Sequence, residues 1–275
     1  MMKEKNDTGR SCTTMEYSGK GDPQRSIELL WGKRKSPSRG PVPNLSVERI
    51  VQTAIALADA EGLTALSMRR VAERLGVGVM SLYTYVPGKA ELLDVMLDTA
   101  IGEEKLPTSI EGTWRPRLEL RAREDWQLYQ RHPWMLQVST VRSLLGPNET
   151  MLYEATLQAI RDTGLTGKER ISVVDLIIGY VRGAAKGAIE AALAAQQTGQ
   201  DDAQWWQERE PLLDQFFSPE RFPAITEIAH EGAFYPSGDA DTYYLQWAID
   251  DFEFGLQRVL DGIEAFIQKR QESVH

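Results

Sequence analysis

The chain has 275 residues, 42% of them hydrophobic and 26% charged, with a formal net charge of −9 at neutral pH. That length suits one small module and a larger one, and no stretch nears the roughly 20 uninterrupted apolar residues that span a bilayer. The N-terminus has no apolar signal core, and the single cysteine, Cys12, can form no internal disulfide, which fits a cytoplasmic protein without membrane association.

The charge is unevenly spread. Residues 1–44 hold nine Lys/Arg against five Asp/Glu, whereas residues 45–105 hold six against nine. An acidic body with a basic N-terminal end suits a protein that approaches a polyanion with that end only. Residues 1–25 are polar, too poor in apolar side chains to offset ordering entropy, so 1–44 reads as a disordered basic arm. Ser26–Trp31 could add one amphipathic turn. Lys33, Arg34, Lys35 and Arg39 follow among prolines that keep the backbone extended. Such an arm can track phosphates or act as a plain linker.

Ser46 opens a helix with Val47, Ile50, Val51, Ala54, Ile55 and Ala58 on one face, closed at Glu61-Gly62. Ser67 is a natural N-cap for the next, where Met68, Val71, Ala72 and Leu75 recur at helical spacing, and Gly76 stands at a left-handed C-cap. A second short run, Val79 to Tyr85, buries Leu82 and Val86 and leaves Ser81, Tyr83, Thr84 and Tyr85 outward. An apolar face, a glycine turn and a short helix with polar outward residues make a helix-turn-helix, whose second helix can enter a major groove. A packed αα-hairpin has the same outline. A fourth helix, Ala90–Ile101, reads as a connector.

Longer helices follow: Trp114–Arg131, Trp134 to about Leu145, Thr150–Asp162 with Asn148 as N-cap, and Lys168 to about Gln197 with a run of small residues. The span 198–242 is broken by prolines and carries one or two short helices, and the last helix runs from about Asp239 to Arg270. No segment alternates with period two. The fold class is all-α: an N-terminal three-helix helix-turn-helix DNA-binding domain at 45–104, then a larger helical-bundle ligand-binding and dimerisation domain at 105–271.

Catalytic chemistry finds no support. Of the three histidines, His132 precedes a proline at a helix end, and His230 and His275 have no ligand partner at metal spacing. The acidic pairs Glu103-Glu104 and Asp250-Asp251 point about 100° apart on a helix. No nucleophile elbow, phosphate loop or dinucleotide fingerprint is present, so neither enzyme, metal nor cofactor is expected. Trp126, Tyr129, Trp134, Met135, Arg142, Met151, Gln158, Asp175 and Tyr180 lie on helices that would surround the bundle centre, as in an apolar small-molecule site with a few polar groups. Gln158 and Arg142 stand out there, because a buried polar group needs a partner that a ligand could supply.

The stretches VERIVQTAIALADAEG and LSMRRVAERLGVGVMSLYTYVPGKAELL resemble the tetracycline-repressor (TetR) family of bacterial regulators. TWRPRLELRAR, RHPWM, YVRGAA and FEFGLQRVLDGIEAF resemble the C-terminal domain of its tetracycline-repressor subgroup. The resemblance implies a homodimeric repressor released from a palindromic double-stranded operator by a small, partly apolar effector. It assigns Ser67 and Arg69 to the backbone and an edge base, Val79, Met80, Ser81, Tyr83, Thr84 and Tyr85 to the recognition helix, and Lys89 to a phosphate. Val79-Met80 departs from the archetype, offering contact to a thymine methyl in place of a bidentate amide. The long helix and the last one would pair with their counterparts, through Phe252, Leu256, Val259 and Ile263. The alternative is a helical small-molecule-binding protein or enzyme whose N-terminal helices only pack.

Overall fold

A computed structural model describes residues 15–32, 45–213, 216–234 and 243–272. Among these the regular structure is helical but for two strands of two residues each. The described chain forms two compact units. One takes in the chain up to Thr99 together with Trp134–Glu149, and the other Ala100–Pro133 with the chain from Thr150 on. Residues 134–149, far along the chain from the N-terminal helices, thus pack with them.

The first unit holds β1 (Glu16–Tyr17), α1 (Pro23–Leu30), α2 (Val47–Glu61), α3 (Met68–Leu75), α4 (Val79–Tyr83), most of α5 (Lys89–Ile101) and, beyond α6 (Trp114–Arg131), β2 (Val138–Ser139). Ser46 caps α2 by accepting the Arg49 amide, and Gly62 leaves it at φ 79°. Ser67 caps α3 in the same way, and Gly76 ends it in the left-handed region at φ 68°. Ile50, Ala54 and Leu57 of α2, Val71 of α3, Leu82 and Val86 around α4, and Leu92 and Met96 of α5 are wholly buried. Each larger side chain contributes about 1.5–3 kcal/mol by leaving water. That shared core fixes the α3–α4 angle.

Two expectations are corrected here. Residues 15–32 are not a disordered arm: β1 pairs in parallel with β2, Glu16 opposite Val138 and Tyr17 opposite Ser139, and α1 buries Leu29 and Leu30. Backbone pairing and a few anchors offset the low apolar content of the segment. Lys33, Arg34, Lys35 and Arg39 lie outside the described residues. The expected helix Trp134–Leu145 is instead a 3-10 turn, Pro133–Gln137, followed by β2 and an irregular stretch in which Leu145 has φ 57°. β-Branched Val138, Thr140 and Val141 disfavour a helix there, and the pairing with β1 supplies an alternative.

The second unit holds the end of α5, all of α6, α7 (Pro147–Ala159, whose first turn belongs to the first unit), α8 (Gly167–Thr198), α9 (Asp202–Leu213), α10 (Pro223–His230) and α11 (Tyr243–Glu272). α8 opens on a capping box: Thr166 accepts the Glu169 amide, and the Thr166 amide donates to the Glu169 carboxylate at 2.7 Å. α8 packs along α11 and α6. Ile177, Val181, Ala185 and Ala188 meet a core that includes Leu256 and Leu260 of α11 and Leu118 and Ala122 of α6, all fully buried. Here Phe252, Leu256 and Ile263, expected to face a second subunit, are core of this chain, because their spacing matches the seam with α8. Arg115 of α6 holds Asp261 and Glu264 of α11 at 2.6 and 2.8 Å.

Candidate nucleic-acid interface

α4 is five residues long and begins without a side-chain cap, at Gly78. The Schellman turn before it, with Val77 N–H donating to Ala72 C=O at 3.0 Å, sets its direction. Leu82 anchors it inward while Met80 is 73% exposed and Tyr83 41% exposed. Ser81 and Val79 are half-buried and Thr84 is exposed, its hydroxyl donating to the Ser81 carbonyl at 2.6 Å. A thioether, a phenol and small hydroxyls therefore form the tip, with Met80 foremost. Such a tip can read apolar base edges and bind phosphate oxygens.

The other expected contacts divide. Arg69 is open to solvent, paired with Glu73 one turn on at 2.8 Å, which holds its guanidinium further up. Ser67 is half-buried and spends its hydroxyl on the Arg70 amide. Arg70 and Arg74 both grip Glu61 at the end of α2, and the Arg70 hydrogen bond holds that carboxyl below its ordinary range. Tyr85 is a correction. It was expected outward, but α4 ends at Tyr83, the Tyr85 and Val86 amides both turn back to the Leu82 carbonyl, and Tyr85 is 8% exposed. Lys89 opens α5 with its ammonium 3.0 Å from the Glu16 carboxylate.

Sequence reasoning missed the face of α5 that carries Glu91, Asp94 and Asp98, all buried. Their i, i+3, i+7 spacing in an otherwise apolar helix was the available signal. Asp98 accepts the amides of Glu149 at 2.9 Å and Asn148 at 3.3 Å, so it caps α7 from outside that helix. Burial nonetheless pushes the Asp94 and Asp98 carboxyls up.

The expected effector residues scatter. Trp134 and Met135 are buried in the first unit, the Trp134 indole donating to Asp59 at 2.8 Å, and Arg142 in the same unit is exposed. Gln158 is exposed too, donating to Glu154 one turn back at 2.7 Å, so neither polar group is the buried one expected; both lie on the solvent side of their segments. Met151 and Asp175 are exposed. In the second unit Trp126 stacks on Phe252 with centroids 4.0 Å apart, and the Tyr180 hydroxyl donates to the Phe252 carbonyl at 2.7 Å. Tyr129 is buried under the Arg182 guanidinium, 5.9 Å from its ring centre, and burial pushes its phenol up to about 12.

A helix-turn-helix head with an exposed recognition helix, carried by a chain with a second, helical unit, defines a DNA-binding regulator. Residues 50–96 match the bacterial regulatory proteins of the tetR family, and residues 106–267 match the tetracyclin repressor-like C-terminal domain. The chain belongs to the TetR family, as a helix-turn-helix transcriptional repressor. It is 46% identical over 268 residues to the HTH-type transcriptional repressor DrrR1 of Streptomyces coeruleorubidus, a match covering 97% of this chain and 94% of that one. Its fold is similar to apo ActR from Streptomyces coelicolor (TM-score 0.63, 28% identity, 84% of this chain and 99% of that one). It is likewise similar to ActR in complex with actinorhodin (TM-score 0.62, 26% identity, 82% and 97%). No helix among the described residues is long and apolar enough to cross a membrane.

Proposed function

We propose that the protein is a homodimeric repressor whose two α4 helices read a palindromic operator and whose second unit binds a small, partly apolar effector that releases it. The observation that carries the DNA half is the exposed tip Met80–Tyr83 on a fully buried Leu82 anchor. Val79, Met80 and Ser81 face base edges; Tyr83, Thr84, Ser67, Arg69 and Lys89 hold the backbone. Tyr85 serves the same contacts indirectly, as the packed foot of α4.

For dimerisation, α8 and α11 carry apolar side chains that their mutual seam does not use: Ile171, Leu176 and Leu193 on one, Phe254 and Phe266 on the other. A groove of about 490 Å³ between them is lined by Leu176, Val259 and Phe266. A second copy laid on that face would hide it and set the recognition helices one helical turn of DNA apart, about 34–36 Å, or a multiple. For the effector, ActR offers the precedent of a related regulator crystallised with actinorhodin and with (S)-DNPA. In this chain Trp126, Tyr129 and Tyr180 are the aromatic groups of the second unit that a planar, partly apolar molecule would meet; Met151, Gln158 and Asp175 are better placed for a mouth than for an interior. A hundredfold loss of operator affinity needs about 2.7 kcal/mol of coupling.

Selection of duplexes from a random pool by the full chain tests the reading. A palindromic motif retarded as a complex of two chains supports it. A retained motif bound by a monomer, or no enriched duplex at low salt, would sink it. Screening small aromatic compounds for release of that duplex then tests the effector half.

A further inference from the structure

Residues 15–32 precede the matched regulatory region, which begins at residue 50. They form a strap built into the first unit. Ser18, 4% exposed, donates through its amide to the Ser139 carbonyl and through its hydroxyl to the Arg142 carbonyl at 2.9 Å. The Gly19 amide donates to Asp94 Oδ1 at 2.9 Å, the Ser26 hydroxyl to Asp94 Oδ2 at 3.2 Å, and the Asp22 amide to Glu91 Oε1 at 3.0 Å. A side chain at Gly21 would place its Cβ 2.8 Å from Glu91 Cδ, so a larger residue there would have to push the Glu91 carboxylate aside. At the far end the Trp31 indole donates to the Leu145 carbonyl at 2.9 Å. The buried carboxylates of α5 thus hold the strap in one register.

That register delivers a charge. Glu16 of the strap sets its carboxylate 3.0 Å from Lys89 Nζ, with both side chains little more than one-third exposed. Lys89 opens α5, where the ammonium and the helix N-terminus both favour an anion. The anion seated there is the chain's own.

We propose that Glu16 stands in for an operator phosphate: strap and duplex compete for Lys89, and the docked strap holds operator affinity below what the helix-turn-helix alone would give. This rests on the reading of Lys89 as a phosphate contact. Two terms act in one direction. Removing the Glu16 charge frees the Lys89 cation, and it also removes a carboxylate that repels the incoming phosphate. Because the pair is partly solvated, the effect is moderate, about threefold to tenfold in affinity.

The test uses the full chain and the duplex that wild type enriches from a random pool, with binding read by fluorescence anisotropy across a salt series. Glu16→Gln is expected to bind threefold to tenfold tighter at low salt, with the slope of log affinity against log salt steeper by about one. Lys89→Ala should cost little in the wild-type background and distinctly more beside Glu16→Gln, since wild-type Lys89 is already neutralised. Gly21→Ala crowds the Glu91 carboxylate that holds the Asp22 amide, so it should loosen the strap without altering the Glu16 or Lys89 charge and should also tighten binding. Wild-type affinity and slope in Glu16→Gln, or weaker binding at an unchanged thermal midpoint, overturns the proposal, as does an equal cost of Lys89→Ala in both backgrounds. If wild type enriches no duplex, the DNA-binding reading falls and this one falls with it; if it does, the Glu16 result bears on the strap alone.

Discussion

Arg121 and Asp125 meet one turn apart on α6, Nε to Oδ2 at 2.7 Å, with both side chains almost out of reach of water. Glu104, its side chain 1% exposed, comes to the same guanidinium at 3.8 Å. Two carboxylates thus share one cation in a place that solvent does not screen. Burial, then the Asp125 charge, push the Glu104 carboxyl up to about 9 against the pull of Arg121, and Glu124 adds to the rise. Glu104 therefore carries the proton at neutral pH.

The pH dependence of stability follows from that proton. The folded Glu104 binds it more tightly than the unfolded chain does, so its contribution is fully present below the ordinary carboxylate range and is lost as pH rises towards about 9. Glu104→Gln keeps the neutral shape and removes the proton uptake. Wild type should lose thermal stability between pH 5 and pH 8, and the variant should lose less, by on the order of 1–3 kcal/mol. Thermal unfolding at the two pH values measures it. Identical pH slopes in the two proteins would place the proton elsewhere.

Gly255 of α11 sits directly against Tyr180 of α8. A Cβ at 255 would meet the Tyr180 hydroxyl in hard overlap and its ring carbon Cε2 at 2.9 Å. Gly255→Ala should gain helix propensity yet lose about 1–3 kcal/mol of stability through that overlap. In a Tyr180→Ala background the same change should cost nothing or stabilise slightly. Chemical denaturation of the four chains of that cycle reads the coupling. Additive effects would mean that the helices shift apart without strain.

The helices that position the recognition element were legible because their signals are local. Ser46, Ser67 and Gly76 stand at caps whose geometry depends on a few neighbouring residues, and each is found there. Trp114–Arg131 was bounded correctly by the same kind of signal. What failed was set at long range. Residues 134–145 carry only a weak local signal against a helix, Val138, Thr140 and Val141, and the strand partner that decides their conformation, β1, lies more than a hundred positions earlier. Residues 15–25 look too polar to order, because the groups that satisfy them, Glu91 and Asp94, belong to a different helix. Gln158 could not be placed inside or outside from spacing, since one position's turn of a helix separates core from solvent, and Arg142 lies in a stretch that is not helical at all. Tyr85 illustrates the limit most sharply. Its outward position assumed that α4 continued two residues further than it does.

Met80 and Tyr85, five residues apart, should therefore fail in opposite ways. Tyr85 is buried at the foot of α4, so Tyr85→Ala leaves a cavity in the head and should cost about 3–5 kcal/mol of stability, comparable to other aromatic truncations. Operator binding would be lost with the fold. Met80, 73% exposed, supports nothing inside the head. Met80→Ala should leave the thermal midpoint within about 0.5 kcal/mol of wild type, as exposed positions do. Its cost falls on recognition: loss of the contact to one base pair is worth about 1–3 kcal/mol, roughly fivefold to 150-fold in affinity, and it should relax preference at a single base pair in each half-site. Met80→Gln should redirect that position towards adenine, whose N6 amino group donates to the amide oxygen while its N7 accepts from the amide nitrogen, a bidentate pair that the thioether cannot make. Parallel duplex selections with wild type, Met80→Ala and Met80→Gln read this at the level of one position. A uniform loss across all positions would assign Met80 to packing against the backbone, with no share in reading the bases.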